Sequence, residues 1–209
     1  MPAKSSAFEK AVNFFFILAD FFNATSHRQD YLTAGEVNDI PGCNAMYRRS
    51  ALEKVMPVDE NLLTAEDVWM NFRIRNLGYK LIIAEDMGLW HCRRNSPRRF
   101  LRQIYRFAIG RLQVGKRNHS LLNKFHITTG LAIPAIFSLG IICYSLGLLN
   151  LFFKIVIAFS TAVILLSLFK TKSLSATLNI PLVMLIFLFG WSAGFLRELF
   201  FPLKDVTGK

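Results

Sequence analysis

Apolar residues are spread unevenly along the chain, and their pattern divides it into two parts. Three long apolar runs occupy about 127–149, 151–169 and 179–200. Each run is close to the roughly 20 residues that an α-helix needs to cross a hydrocarbon core about 30 Å thick. The pattern predicts an α-helical membrane domain over 125–209 with three transmembrane helices, whose two ends face opposite sides of the bilayer.

The first part of the chain has shorter apolar patterns separated by polar stretches and turns. Its predicted elements are a helix over 6–24, a short edge strand over 36–40, a brief helix over 50–55, a helix over 65–77 that ends at Gly78, and short strands over 80–84 and 88–91. Helices mixed with short strands predict an α/β subdomain over 1–96.

Charge marks a third region between these two. From residue 93 to residue 117 the chain carries nine basic residues and no acidic one, with apolar residues recurring on one helical face. Residues 97–124 are therefore predicted to form a basic amphipathic helix on an anionic lipid surface, with Pro97 in its first turn. Nucleic acid is the rival polyanion, but this helix leads directly into a bilayer. We expect anionic lipids as partners and no nucleic acid.

Basic residues near the ends of the apolar runs predict the orientation. Residues 1–126 hold 19 of the 25 Lys and Arg residues, far more than lie at the other end of the membrane domain. Because cytoplasmic segments are enriched in Lys and Arg, a multi-pass protein of the inner or plasma membrane is expected, with its N-terminal part cytosolic. Lys170 and Lys172, between the second and third runs, would return to the cytosolic side.

Two adjacent carboxylates, Glu66 and Asp67, lie where the helix over 65–77 is predicted to begin. Two interpretations are open. Thr64 followed three residues later by Asp67 has the spacing of a capping box, in which both side chains pair with free backbone groups at a helix start. A carboxylate within reach of a hydroxyl can instead act as a general base, which contributes about 10²–10⁴ in rate.

The order of several short motifs resembles a known family. The glycine-containing loop over 41–49, the pair Glu66 and Asp67, His91 and the sequence QIYRF over 103–107 precede the apolar runs. This order and spacing resemble the acceptor-side, C-terminal half of membrane-anchored family 2 glycosyltransferases of the GT-A type. More narrowly, the chain is similar to enzymes of exopolysaccharide and lipid-linked oligosaccharide assembly, of the succinoglycan type.

The resemblance implies roles for particular residues. Asp67, with Glu66 beside it, would be the general base of an inverting transfer. His91 would help to hold Mg²⁺ or Mn²⁺. Phe107 replaces the Trp of the family's QxxRW motif, which leaves the contact specific to Trp in doubt. Contacts to the acceptor or the diphosphate are implied for Gly42, Asn44, Arg48, Gln103, Arg106 and Phe107.

Each of these residues also has an ordinary structural interpretation. Gly42 can be a simple turn glycine, and a lone histidine such as His91 is more often just hydrogen-bonded. Gln103, Arg106 and Phe107 can belong to an interfacial helix that is rich in Arg and aromatic residues.

The resemblance also implies a part that this sequence lacks. Family members begin with a nucleotide-binding region that ends in Asp-x-Asp, and nothing before Glu36 resembles it. Most of the metal site and the nucleotide-sugar site would then lie outside this chain. The chain is expected to be a truncated enzyme, one subunit of a split enzyme with a separately encoded N-terminal half, or a non-catalytic membrane scaffold. The expected acceptor is a glycan, in particular a lipid-linked one.

Overall fold

The computed structural model describes residues 5–21, 35–84 and 92–203. The elements are α1 (Ala7–Phe21), β1 (Gly35–Val37), α2 (Arg49–Leu52), α3 (Glu66–Asn76), β2 (Leu81–Ile83), α4 (Pro97–Arg117), a 3₁₀ turn (His119–Leu121), α5 (Lys124–Gly130), α6 (Ala132–Ser145), α7 (Leu149–Thr171) and α8 (Leu174–Phe200). The described part is mostly helical, which makes the predicted α/β class only partly right.

The strands of the described part form one antiparallel pair, in which Gly35 lies opposite Ile83 and Val37 opposite Leu81. We restrict the name α/β subdomain to residues 35–84, which form part of the subdomain predicted over 1–96. Its small core contains the buried side chains of Val55, Ile74 and Leu81. The strand predicted over 36–40 is shorter than expected, and the strand predicted over 88–91 lies outside the described residues.

Helix α4 lies in the basic region and begins at Pro97 as predicted, but it ends at Arg117 rather than at residue 124. Ser96 caps its first turn by accepting a hydrogen bond from the Arg99 N–H, and Pro97 occupies the first turn without loss of a needed donor. The helix is packed on two sides rather than lying freely on a lipid surface. Phe100, Ile104 and Ala108 join a core cluster with α1 and α8, whereas Val114 packs against Leu62 and Val68 of the α/β subdomain.

The contact between α4 and α8 depends on glycine. The backbone carbonyl of Tyr105 lies so close to Gly194 that a Cβ placed there would be 2.3 Å from the oxygen. Gly190, one turn earlier, faces Leu101 and Ile104. Small residues four apart let two helices approach closely, so the Gly190-x-x-x-Gly194 pattern serves this contact.

Helices α7 and α8 are long and apolar enough to cross a membrane. Helices α5 and α6 meet these criteria only as a pair, and they are bent by 57° at their junction. By length and composition, the described residues therefore provide two candidate membrane-crossing helices, or three if the bent pair is counted as one span. The second and third predicted runs correspond to α7 and α8, and the first corresponds to the bent pair.

Candidate active site

Asp67 lies in the first turn of α3 and is partly exposed. One oxygen of its carboxylate, Oδ2, accepts a hydrogen bond of 2.9 Å from the backbone N–H of Gly42. The other oxygen, Oδ1, accepts from the N–H of Val68 at 2.8 Å. The contact brings together two parts of the chain that the sequence separates by 25 residues. A carboxylate oxygen has two lone pairs, so each one keeps capacity for a further donor.

The capping-box interpretation of Thr64 and Asp67 is wrong. The N-cap residue of α3 is Ala65, which has a left-handed backbone with φ of 67° and makes no side-chain cap. The hydroxyl of Thr64 instead donates to the carbonyl of Arg106 in α4, at 3.0 Å. The left-handed Ala65 turns the chain so that Thr64 and Asp67 diverge, and Asp67 is left facing the Gly42 loop.

A buried polar chain lies next to Asp67 on the same helix. Asn71, whose side chain is almost fully buried, accepts a hydrogen bond from the Tyr47 hydroxyl at 2.9 Å. Its amide donates to the Asp39 carboxylate at 2.5 Å and to the Ile40 carbonyl at 2.7 Å. A buried amide with its partners in place holds the loop around residue 40 against α3, which fixes the position of Gly42.

Tyr47 reports the electrostatics of this pocket. Burial raises the pKa of Tyr47 to about 12, and the negative charges of Asp67 and Asp39 add to the shift. The phenol therefore stays protonated at neutral pH and remains a hydrogen-bond donor. The charges of both carboxylates act on Tyr47, and Asn71, one turn after Asp67 on α3, bonds to both Tyr47 and Asp39; we refer to Asp39 and Asp67 as the acidic pair.

Arg111 of α4 supplies positive charge to the acidic pair. Burial lowers the pKa of Arg111, while the charges of Asp39 and Asp67 act in the opposite direction. An arginine remains a cation under these conditions. The charge of Arg111 therefore lies close enough to interact with both carboxylates.

Three contacts hold the loop before Asp67 against α4. The N–H of Leu63 donates to the buried Gln113 side chain at 3.0 Å, and Arg106 donates to the Leu63 carbonyl at 3.4 Å. Gly110 has no side chain, so the Thr64 backbone and hydroxyl lie directly against it. Below these contacts, Arg117 pairs with Asp59. The position of Asp67 is thus tied to helix α4.

The residues implied by the family resemblance are brought together only in part. Gly42 contacts Asp67, and Arg106 contacts the loop that precedes it. Phe107 packs against the core shared by α1, α4 and α8. Arg48 is exposed on another side, where its charge is among those that lower the pKa of Tyr79, after the larger effects of hydrogen bonds from Lys54 and Ser50.

The other implied residues add no contact to the acidic pair. Glu66 is exposed as the first residue of α3, and Asn44 is exposed with a left-handed backbone. Gln103 is partly buried on α4, one turn before Arg106. His91 lies outside the described residues. Across 5–21, 35–84 and 92–203, no group of three or more His, Cys, Asp or Glu side chains could hold a metal ion. The described residues alone therefore do not form a site for Mg²⁺ or Mn²⁺.

Asp39, Tyr47, Asn71, Arg111 and Gln113 were not identified from the sequence. Helical spacing could have indicated two of them. Asn71 follows Asp67 by four residues on the same face of α3, and Arg111 follows Phe107 by four on α4. The roles of Asp39, Tyr47 and Gln113 depend on contacts over 24 to 50 residues, for which local spacing gives no indication.

One comparison with known proteins identifies a family for this chain. Neither the search of curated proteins nor the search of solved structures found a match to the chain. The family model described as "Glycosyl transferase family group 2" matches residues 3–192. Because this match covers most of the chain, the protein belongs to family group 2 of the glycosyltransferases.

Proposed function

We propose that this membrane glycosyltransferase transfers a sugar from a nucleotide-sugar to the hydroxyl of a glycan acceptor, with Asp67 as the general base. The observation that supports the proposal is the state of the Asp67 carboxylate. It makes no capping box, it is held by the Gly42 N–H, and it remains partly exposed beside a basic helix. A first-turn carboxylate that only stabilised its helix would need none of the loop contacts around it.

The chemistry assigned to Asp67 is proton transfer. The acceptor hydroxyl loses its proton to the Asp67 carboxylate as its oxygen bonds to the anomeric carbon of the donor sugar. The bond from that carbon to the nucleoside diphosphate breaks, and the diphosphate leaves with the electron pair. Attack from the face opposite the leaving group inverts the anomeric centre.

Arginines of α4 are suited to the charge that develops on the leaving diphosphate. A fixed cation placed where negative charge accumulates stabilises the transition state. We infer that Arg111 has this role beside the pair, together with the Arg106 implied by the family motif. Mg²⁺ or Mn²⁺, when bound, would neutralise the same diphosphate. The proposal includes metal ligands that the nucleotide-binding region of the enzyme would supply.

A lipid-linked acceptor fits the position of the site. The loop before Asp67 rests on α4, and α4 rests on the membrane helix α8 through Gly190 and Gly194. An acceptor whose diphosphate or phosphate lies at the leaflet surface would reach this site with its glycan end. We also propose that the chain divides into three parts, with boundaries at about residues 96 and 124. The α/β subdomain would lie on the cytosolic side of the membrane.

The test is the substitution Asp67→Asn. It is assayed in membranes that contain the complete, active enzyme, and the measurement is the transfer of labelled sugar from a panel of nucleotide-sugars. Asparagine keeps an acceptor for the Gly42 N–H but cannot take the proton. Transfer should fall by about 10²–10⁴, the contribution of a general base. Glu60→Gln is the matched control, because it removes one exposed carboxylate from the same region.

Normal transfer by Asp67→Asn, at equal protein levels in the membrane, would refute the assignment of the base. The non-catalytic scaffold and the subunit of a split enzyme give different results in the same assay. A split enzyme needs the second gene product for any transfer. A scaffold gives transfer that neither substitution affects.

A further inference from the structure

The last turns of α8 lie next to the end of α4. The ammonium of Lys116 pairs with the buried Glu198 carboxylate at 2.9 Å and donates to the Glu198 carbonyl at 2.6 Å. Gly194 meets the Tyr105 backbone one turn before. Since α4 also carries the loop that precedes Asp67, the C-terminal end of α8 lies on the same side as the α/β subdomain.

Helix α5 begins beside the same C-terminal part of α8. The Trp191 indole N–H donates to the His126 carbonyl at 3.1 Å, and the two rings stack at 5.6 Å. The Ser192 hydroxyl donates to the Gly130 carbonyl at 2.8 Å. The chain therefore enters α6 beside residues 191–195 of α8.

Helix α6 also ends level with this part of α8. Only Lys172 and Ser173 connect α7 to α8, and the hydroxyls of Thr171 and Thr177 lie 3.4 Å apart, so the two helices form an antiparallel hairpin. Leu149, the first residue of α7, lies about six helical turns before Thr171. In an antiparallel pair it is level with residues about six turns after Thr177, next to Glu198.

We propose that α7 and α8 are the two membrane-crossing helices and that α5 and α6 form a re-entrant segment. In this arrangement the segment enters and leaves the leaflet on the side of the α/β subdomain. The start of α6 lies beside residues 192–195 of α8, and its end lies level with the C-terminal end of α8, while the 57° bend after Gly130 turns the chain away from a straight crossing. No side chain of α6 is buried, and its apolar residues, such as Phe137 and Ile141, are exposed. Acyl chains of that leaflet are the partner that covers them.

Charge placement agrees with two crossings. The basic residues of α4, with Lys154 near the start of α7 and Arg197 near the end of α8, then lie on one side. Lys170 and Lys172 alone lie on the other side among the basic residues from α4 to the end of α8. Three crossings would place Arg197 and Glu198 on the side opposite to Lys116. That arrangement separates the observed ion pair or draws the basic helix α4 through the hydrocarbon, which is unfavourable for charged side chains.

Single cysteines in the full chain test this topology in sealed vesicles of both orientations. Cys43, Cys92 and Cys143 are first replaced by serine, and a variant that keeps only Cys43 defines the side of the α/β subdomain. The reporters are Leu146→Cys, Leu174→Cys and Phe201→Cys, at positions whose side chains are at least 64% exposed. Labelling with a membrane-impermeant maleimide is normalised to labelling after detergent solubilisation.

We expect the cysteines at 146 and 201 to react from the same side as Cys43, and the cysteine at 174 to react only from the other side. Three crossings predict the reverse at each of the three positions, and that result would overturn the proposal. If a reporter impairs insertion, Leu148→Cys replaces position 146 and Ser175→Cys replaces position 174, with the same expected sides. The outcome does not depend on the role of Asp67, because labelling needs no sugar transfer.

Discussion

Gly110 lies where α4 contacts the loop that precedes Asp67, and its replacement by alanine tests whether this contact positions the base. A Cβ at this position would lie 2.2 Å from the Thr64 hydroxyl oxygen, 2.5 Å from the Thr64 carbonyl oxygen and 2.7 Å from its carbon. The side chain of Thr64 can rotate, but the carbonyl belongs to the backbone. Either the loop or the helix must therefore move.

The size of the shift sets the expected effect. Ordinary contacts of a Cβ atom begin at 3.4 Å. Relieving the overlap with the carbonyl therefore needs a displacement of about 1 Å, and a misplacement of that size near the reacting groups can lower a rate by about 10²-fold. Overpacking of this kind also costs about 1–3 kcal/mol of stability. We expect Gly110→Ala to lower both sugar transfer and thermal stability.

Gly140→Ala is the matched control. Gly140 lies within α6, and a Cβ there meets nothing within 4 Å. Both variants are compared for transfer from labelled nucleotide-sugar in membranes and for thermal unfolding in detergent, with folding checked by size-exclusion chromatography at the assay temperature. If Gly110→Ala matched Gly140→Ala in both measurements, the close approach of α4 to Thr64 would be refuted, and with it the reasoning that α4 positions Asp67.

Other predictions concern the contacts around the site. Gly194→Ala should destabilise the protein by about 1–3 kcal/mol, seen as a loss of about 2–4 °C in melting temperature per kcal/mol, whereas Gly140→Ala should not; equal melting temperatures would contradict the packing of α4 on α8. Gln113→Leu should cost about 1–3 kcal/mol in thermal unfolding because the Leu63 N–H loses its acceptor, and Gln113→Glu, which keeps one, should cost less. Because the folded pKa of Tyr47 is raised to about 12, its contribution to stability is complete below its unfolded pKa near 10 and is lost as pH rises towards 12. Tyr47→Phe should remove this alkaline loss in pH-dependent unfolding, and an unchanged profile would argue against the raised pKa of the half-buried Tyr47 phenol.

Helical periodicity predicted the elements that bury one face along their length. The helix predicted over 65–77 was found with both ends within a residue or so, because burial of a stripe enforces the period of 3.6 residues. The basic helix predicted over 97–124 begins at Pro97 but ends at Arg117, seven residues earlier than predicted. Gly78 ends the first of these with a positive φ, as predicted. The family resemblance implied roles for both Gly42 and Asp67, but it did not indicate the hydrogen bond between them.

The features that the sequence did not predict depend on contacts between residues that lie far apart in the sequence. Thr64 and Asp67 had the spacing of a capping box, but each side chain found a partner in another part of the chain, which local spacing cannot weigh. The Gly190-x-x-x-Gly194 pattern is common in membrane helices and does not say which helix approaches it. At the bend between α5 and α6, the Gly130 carbonyl likewise accepts a hydrogen bond from a distant residue, Ser192 of α8.

Helix α4 links the site to the membrane through two opposite faces. One face accepts the Thr64 backbone at Gly110 and the Leu63 N–H at Gln113, and the other lies against Gly194 of α8. Because each contact contains a glycine, the two backbones lie close together. At such short distances the side chains can adjust little. The depth of Asp67 relative to the bilayer is then set by one rigid helix rather than by flexible loops. For the function we propose, with a lipid-linked acceptor and Asp67 as the base, this fixed height would matter, because the base would have to meet a hydroxyl whose own position is set by the leaflet.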